Sequence, residues 1–114
     1  MRFGIPEKSM DMIIQTLNSF KEINKAAIFG SRAIGNYKKG SDVDLVIYGT
    51  DVTDEIVNSL RVRLNEELPL PYYFDIVHYE TLSSDALKEH IDKLSKIFYH
   101  KTGRRLPLLQ GEDV

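Results

Sequence analysis

The sequence predicts an α/β domain in which a small mixed β-sheet is flanked by helices. Segments with apolar residues at helical spacing alternate with short apolar runs rich in β-branched residues, a pattern typical of this class. The 114 residues contain no repeat, low-complexity tract or Pro/Gly/Ser-rich linker. We therefore expect one domain over residues 1–103, followed by a flexible C-terminal tail over residues 104–114, where no hydrophobic period is seen.

Three helices are predicted from apolar stripes that can face a core. The first spans residues 6–20. The second begins at the N-cap Thr53 and stops at the prolines at positions 69 and 71, and the third is capped by Ser83 or Ser84. The apolar stripes consist of Met10, Ile13, Ile14, Leu17 and Phe20 in the first helix, Ile56, Val57, Leu60 and Leu64 in the second, and Leu87, Ile91 and Leu94 in the third.

Three strands are predicted from short apolar runs. They cover residues 26–29, 43–48 and 72–79, and the first two end at Gly30 and Gly49. For residues 97–100 the pattern leaves two alternatives open, a short fourth strand or an extension of the last helix.

Composition and charge exclude several classes of function. The absence of cysteine excludes disulfides, thiolate metal sites and a cysteine nucleophile. A formal net charge of -2 argues against broad binding to duplex nucleic acid, which depends on many basic residues. The amino terminus lacks the apolar core of a signal peptide, and no apolar run of about 20 residues predicts a membrane span. We expect a soluble, cytoplasmic protein.

Two acidic residues mark the start of the second predicted strand. Asp42 and Asp44 project from one face because side chains alternate along a strand. Two carboxylates beside an apolar strand are costly unless a cation lies between them, and Mg²⁺ prefers oxygen ligands. The pair is therefore a candidate metal site for phosphoryl transfer. The alternative is a turn residue at 42 and a solvated strand face at 44.

A glycine and a serine follow the first predicted strand and open a short helical segment. Gly30 permits a ligand to approach the backbone closely, and the N–H groups that follow, with the Ser31 hydroxyl, could bind a phosphate. The alternative is an ordinary helix N-cap serine. Gly30 and Ser31 precede Asp42 by about ten residues, which predicts that a phosphate site and a metal site lie on neighbouring strand ends.

These residues resemble a known signature. Gly30-Ser31-Arg32-Ala33, followed by Ser41-Asp42-Val43-Asp44-Leu45, is similar to the motif of the DNA polymerase β-like nucleotidyltransferase superfamily, specifically its small stand-alone branch, the minimal nucleotidyltransferases (MNT). The resemblance covers residues 6–79 and implies the polymerase β-like fold. It places Asp75 where the third carboxylate of the family is expected.

The resemblance also implies a reaction. Family members transfer a nucleoside monophosphate, usually AMP from ATP, to an acceptor hydroxyl and release pyrophosphate. Asp42, Asp44 and Asp75 would be the catalytic metal ligands, holding two Mg²⁺ ions or Mn²⁺ in their place, and Asp75 would help to deprotonate the acceptor. Gly30 and Ser31 would bind the phosphates.

One position departs from the family pattern. Ile34 stands where a second arginine is usual, so any phosphate or substrate contact from that position is missing. Arg32, Lys38 and Lys39 remain as candidate phosphate or substrate contacts, with the alternative that the lysines only solubilise a loop.

Histidines and tyrosines are less informative. His78, His90 and His100 lack a metal-ligand spacing and are expected at the surface or in strands. Six tyrosines either stack on a base or, more commonly in a small domain, pack at core edges or in an interface. They are Tyr37, Tyr48, Tyr72, Tyr73, Tyr79 and Tyr99.

The acceptor surface is expected on another molecule, because little of the chain lies outside the predicted nucleotidyltransferase core. The resemblance implies a separately encoded, helical HEPN protein as partner, with this chain as the MNT antitoxin that adenylylates a tyrosine of the toxin. Two alternatives stay open. One is an aminoglycoside-like adenylyltransferase acting on a small-molecule hydroxyl, completed by homo-oligomerisation. The other is a non-catalytic antitoxin subunit, against which three clustered acids argue.

Overall fold

The computed structural model describes residues 2–101 as helices on both faces of a four-stranded sheet. The helices are α1 (Glu7–Asn18), α2 (Ser31–Ile34), α3 (Asp54–Val62) and α4 (Asp85–Leu94). The strands are β1 (Lys25–Phe29), β2 (Val43–Tyr48), β3 (Phe74–His78) and β4 (Lys96–His100). A π-helical turn, Arg63–Glu67, continues α3, and a 3₁₀ turn, Tyr79–Thr81, follows β3.

The strand order across the sheet is β3-β2-β1-β4. β2 and β3 are parallel, whereas β1 is antiparallel to both β2 and β4, so the predicted mixed sheet is confirmed. The segment 97–100, for which two alternatives stood open, is part of the edge strand β4. The predicted tail at 104–114 lies outside the described residues. None of the described helices is long and apolar enough to cross a membrane.

The two faces of the sheet are packed differently. One face carries the larger core, in which side chains of α1 and α3 pack on alternate residues of β2, namely Val43, Leu45 and Ile47. The opposite face has a smaller cluster around Val46, covered by Ile91 of α4. Because strand side chains alternate, Asp44 falls on this second, less covered face. A carboxylate can therefore stay in contact with solvent while its strand is anchored in the core.

Two helix starts are capped by side-chain oxygens, as the sequence predicts. The Ile56 N–H donates to the Thr53 hydroxyl at 3.2 Å, and the Leu87 N–H donates to the Ser84 hydroxyl at 3.1 Å. Of the two serines that could cap α4, Ser84 is therefore the cap. Each such bond satisfies one of the N–H groups that a helix leaves unpaired at its start.

The start of β3 is held on its outer edge by a side chain. Asn65, in the π-helical turn, accepts a hydrogen bond from the Phe74 N–H at 2.7 Å and donates one to the Phe74 carbonyl at 3.1 Å. On the inner edge, the Val43 N–H donates to the Tyr73 carbonyl at 2.8 Å. The backbone immediately before Asp75 is thus fixed from both sides, although β3 begins at 74 rather than at the predicted 72.

Candidate active site

Three predicted site residues, Asp42, Asp44 and Asp75, meet at one end of the sheet. The parallel pairing of β2 with β3 sets Asp44 directly opposite Asp75, and Asp42 lies two residues before Asp44. Val43 and Phe74 point into the core, so the aspartates project from the other face. Asp42 and Asp75 are exposed and Asp44 is partly buried. The fold brings these three carboxylates together at the open ends of two neighbouring strands.

The negative charges of the other two carboxylates act on Asp44. The pKa of Asp44 is raised above its usual value, first by burial and then by the negative charges of Asp75 and Asp42, while His90 acts in the opposite direction. Within residues 2–101, none of the three carboxylates forms an ion pair or a side-chain hydrogen bond. Their mutual repulsion is therefore not balanced by a basic side chain in contact, and a bound cation would relieve it.

The donor chemistry of this site fits a hard divalent ion. Carboxylate oxygens are the ligands that Mg²⁺ prefers, and Asp44 and Asp75 extend from paired backbone positions. In the part of the chain that the structure describes, no three acidic or histidine side chains already form a coordination sphere. Binding of a metal here would therefore require the carboxylates to rotate toward the ion.

Gly30 allows the backbone to touch a carboxylate. Its φ of +75° lies in the left-handed region, and a Cβ built there would overlap Asp44 Oδ2 and lie 3.1 Å from Asp44 Cγ. Only glycine fits this position without strain. The first turn after β1 can therefore approach Asp44 closely, which places Gly30 next to one of the three carboxylates.

Ser31 is the first residue of α2, while Gly30 occupies the N-cap position. The alternative interpretation of Ser31 as an N-cap serine is therefore wrong. Among the described residues, no hydrogen bond occupies its hydroxyl. The hydroxyl is left available one residue from the glycine that contacts Asp44.

The guanidinium of Arg32, a predicted phosphate contact, is bonded to backbone carbonyls. Its side chain is 3% exposed, and its guanidinium donates to the Ser41 carbonyl from Nε at 3.1 Å and from Nη2 at 2.7 Å, and to the Phe3 carbonyl from Nη1 at 2.8 Å. The Arg32 Cζ also lies 5.0 Å from the ring centroids of both Tyr37 and Tyr72. In this structure Arg32 holds the loop that leads to Asp42.

The two lysines of the α2–β2 loop are exposed. Lys39 lines a cavity of about 470 Å³ together with Arg32, Tyr37 and Tyr72, and none of the three carboxylates lines it. The structure therefore does not bring Lys39 to the carboxylates.

A stability measurement distinguishes a structural role of Arg32, which is bonding of backbone carbonyls, from the predicted role in phosphate binding. We expect Arg32→Lys to lower the free energy of unfolding by about 3 kcal/mol, because one ammonium group cannot replace the hydrogen bonds to two partly buried carbonyls. Urea denaturation followed by circular dichroism measures this change, and Lys38→Ala, an exposed position in the same loop, is the control. An unchanged denaturation midpoint combined with weaker ATP binding would instead support the predicted phosphate contact.

Sequence reasoning missed His90 as a neighbour of the carboxylates. It lies on α4, where its ring meets the ring of Phe29 edge-on with 6.1 Å between centroids, and its charge lowers the pKa of Asp44. The available signal was its position beside Ile91, the residue by which α4 packs on the sheet. The position beside Ile91 indicates that His90 is close to Asp44 only when it is known that α4 covers the face of the sheet that carries Asp44.

His78 has a structural role in β3. Its Nε2 lies 2.8 Å from the Gly49 carbonyl and 3.1 Å from Glu80 Oε1, and since a carbonyl oxygen only accepts, this nitrogen carries a proton. The same Glu80 oxygen accepts from the Gly49 N–H at 3.1 Å. The network joins the C-terminal ends of β2 and β3, whereas the carboxylates lie at the N-terminal ends of these strands. His100 is exposed at the end of β4, so the prediction of strand or surface positions is confirmed for both residues.

Solved structures with a similar fold include antitoxin complexes. A toxin–antitoxin crystallised with AMP-PNP superposes with a TM-score of 0.64 at 20% identity, covering 85% of this chain and 75% of that one. A complex of a tri-AMPylated HEPN toxin with an MNT antitoxin from Shewanella oneidensis gives a TM-score of 0.64 at 18% identity, covering 83% and 72%. At these identities the likeness establishes the fold.

Sequence comparison establishes the family. A Methanocaldococcus jannaschii protein with the provisional name protein adenylyltransferase is 30% identical over an alignment of 80 residues that covers 62% of this chain. The matched region spans 66% of the length of that relative. The family described as polymerase beta, nucleotidyltransferase matches residues 11–103, a range that contains β1, α2, β2 and all three carboxylates. The chain therefore belongs to the polymerase beta nucleotidyltransferase family.

Proposed function

We propose that this protein is a metal-dependent nucleotidyltransferase that moves AMP from ATP to a hydroxyl of a helical HEPN-type partner, as the antitoxin of a two-component system. The observation that carries the proposal is the arrangement of Asp42, Asp44 and Asp75, three carboxylates on paired strands without basic partners among the described residues. Because the reaction consumes ATP, we place the protein in the cytoplasm.

Each carboxylate has a distinct position in this proposal. Asp42 and Asp44, with Asp75, would hold Mg²⁺, or Mn²⁺ in its place, which neutralises charge on the triphosphate and on the departing pyrophosphate. Asp44 is the carboxylate in contact with Gly30, so it is positioned by the turn after β1. Asp75 is exposed on the edge strand β3, where an approaching acceptor can reach it.

The reaction exchanges a phosphoanhydride bond of ATP for a phosphoester bond to the acceptor. The acceptor oxygen forms a bond to the α-phosphorus, and the bond from that phosphorus to the oxygen bridging to the β-phosphate breaks. Pyrophosphate leaves with the bonding electron pair, and the proton of the acceptor hydroxyl passes to Asp75. Gly30 and Ser31 would orient the phosphates through the backbone N–H groups at the start of α2 and through the Ser31 hydroxyl, which forms no hydrogen bond among the described residues.

A protein acceptor agrees with the openness of the site. Asp42 and Asp75 are exposed at strand ends, where a large surface can approach. The fold matches antitoxin subunits, one of them in complex with a tri-AMPylated HEPN toxin, and the relative from Methanocaldococcus jannaschii has a name that refers to protein adenylylation. These likenesses support a protein substrate over a small molecule.

The test is a transfer assay with the partner present. The chain is incubated with Mg²⁺, ATP labelled in the α-phosphate and the helical protein that co-purifies with it. We expect label on the partner, and none with the double variant Asp42→Asn/Asp44→Asn or after chelation of the metal. Asp11→Asn, an exposed position on α1, is the charge-matched control.

Two results would contradict the proposal. Label on a small alcohol, with none on the partner, would indicate a small-molecule adenylyltransferase. Undiminished neutralisation of the partner by the double variant Asp42→Asn/Asp44→Asn, with no label transferred by the wild type, would indicate an antitoxin that acts by binding alone.

A further inference from the structure

An exposed aromatic residue lies two positions before Asp75 in the chain. Tyr73 immediately precedes β3, and 56% of its surface is accessible, more than for any other large hydrophobic side chain in residues 2–101. Within the same part of the chain, its hydroxyl has no hydrogen-bond partner. More than half of the surface of Tyr73, together with its hydroxyl, is therefore available to a ligand.

Strand geometry gives the direction in which Tyr73 points. Its carbonyl accepts from the Val43 N–H at 2.8 Å, which continues the parallel pairing of Val43 with Phe74. Phe74 is fully buried in the larger core, so its neighbours Tyr73 and Asp75 project from the opposite face, the face of Asp44. The Tyr73 side chain thus leaves the sheet about 7 Å from that of Asp75, the distance of two residues along a strand.

The backbone that presents Tyr73 is rigid. Asn65 bonds both polar groups of Phe74 on one side, and the Val43 N–H bonds the Tyr73 carbonyl on the other. The prolines at 69 and 71 restrict φ in the segment that precedes it. A rigidly held tyrosine has few side-chain torsions left to order, so a ligand can use its ring surface at low entropic cost.

We propose that Tyr73 stacks on the nucleobase of the nucleoside triphosphate whose phosphates meet the three carboxylates. This inference rests on the proposed function and adds the surface that binds the base. A purine offers a larger π-face than a pyrimidine, so Tyr73 favours ATP and GTP over CTP and UTP. Stacking alone does not distinguish adenine from guanine, because every base has a π-face.

Binding measurements with and without a base test the role of Tyr73. ATP and inorganic tripolyphosphate are titrated, each with Mg²⁺, into wild type, Tyr73→Ala and Tyr73→Phe by calorimetry. We expect Tyr73→Ala to weaken ATP binding about tenfold, within the range observed for base–aromatic stacking, and to leave tripolyphosphate binding unchanged. Tyr73→Phe, which keeps the ring, retains ATP affinity within about twofold.

A second variant reports on the contact directly. The chain has no tryptophan, so Tyr73→Trp introduces a single fluorophore at this position. We expect ATP to quench its fluorescence and tripolyphosphate to leave it unchanged. Ile97→Ala removes an apolar side chain that is 49% exposed on β4, at the far edge of the sheet, and is the control that leaves both affinities unaltered.

The outcomes separate this inference from the proposed function. Wild type that binds neither ATP nor tripolyphosphate would contradict the proposed function itself. Wild type that binds ATP, with Tyr73→Ala binding it equally well, would overturn only the stacking role. An equal loss of ATP and tripolyphosphate binding in Tyr73→Ala, or a loss of ATP binding in Tyr73→Phe, would also overturn it, since these results indicate a phosphate or hydroxyl contact.

Discussion

Asp44→Asn is expected to reduce AMP transfer by at least about 1000-fold, the rate equivalent of about 4 kcal/mol of transition-state stabilisation. Asp44 lies between the other two carboxylates, opposite Asp75 and two residues from Asp42. An amide in its place is neutral and offers a single carbonyl oxygen, so it cannot hold the metal with the same charge. The measurement is the initial rate of label transfer to the partner, with Asp11→Asn as the control.

The same substitution is expected to stabilise the metal-free protein. Burial and the charges of Asp75 and Asp42 raise the pKa of Asp44 in the folded state above that of an unfolded aspartate, about 3.9. The folded state therefore binds this proton more tightly than the unfolded chain does. The stability that Asp44 contributes is fully present below pH of about 4 and is lost as pH rises through the raised pKa.

Thermal unfolding across pH, without and with Mg²⁺, tests this coupling. Without metal, Asp44→Asn should unfold at the same temperature as wild type near pH 3 and at a higher temperature at neutral pH. Addition of Mg²⁺ should raise the melting temperature of wild type and have a smaller effect on Asp44→Asn, because a ligand stabilises only the state that binds it. A variant that loses activity and is also less stable at neutral pH would contradict this account.

Gly30→Ala should lower the rate of AMP transfer about 100-fold because it displaces the Asp44 carboxylate without changing it chemically. Displacement of a catalytic group by about 1 Å has an effect of this size. A methyl group at this position overlaps the Asp44 carboxylate, which must then move away from the turn after β1. The backbone at Gly30 also has a φ of +75° and a ψ of -155°, a conformation essentially confined to glycine, and another residue there costs about 1–3 kcal/mol. We therefore expect reduced stability and reduced activity together.

Gly35→Ala separates these two effects. Gly35 has a φ of +88°, yet a Cβ built there meets no heavy atom within 4 Å. Gly35→Ala should therefore lower the free energy of unfolding, measured by urea denaturation, through backbone strain alone. It should keep most of the transfer rate at a temperature where both variants are folded. Equal rates for Gly30→Ala and Gly35→Ala would show that contact between the backbone and Asp44 does not matter for the reaction.

The sequence was most informative where local geometry decides the outcome. The spacing of Asp42 and Asp44 on one strand predicts a shared face whatever the rest of the chain does, because strand side chains alternate. The N-cap at Thr53 is equally local, since its hydroxyl bonds the Ile56 N–H three residues later. The segment 97–100 stayed undecided because a short apolar run suits either a strand or a helix, and pairing with β1 resolves it.

The sequence by itself determined the alternation of helices and strands, the acidic pair Asp42 and Asp44, and membership of a nucleotidyltransferase fold. Only the tertiary structure decided that Asp75 lies opposite Asp44 and that Arg32 donates to backbone carbonyls. It also decided that the charge of His90 acts on Asp44 and that Tyr73 is exposed. The physical reason is the separation along the sequence of the residues that interact. Alternation and capping depend on residues a few positions apart, whereas sheet register and unpaired carbonyls depend on how distant segments pack.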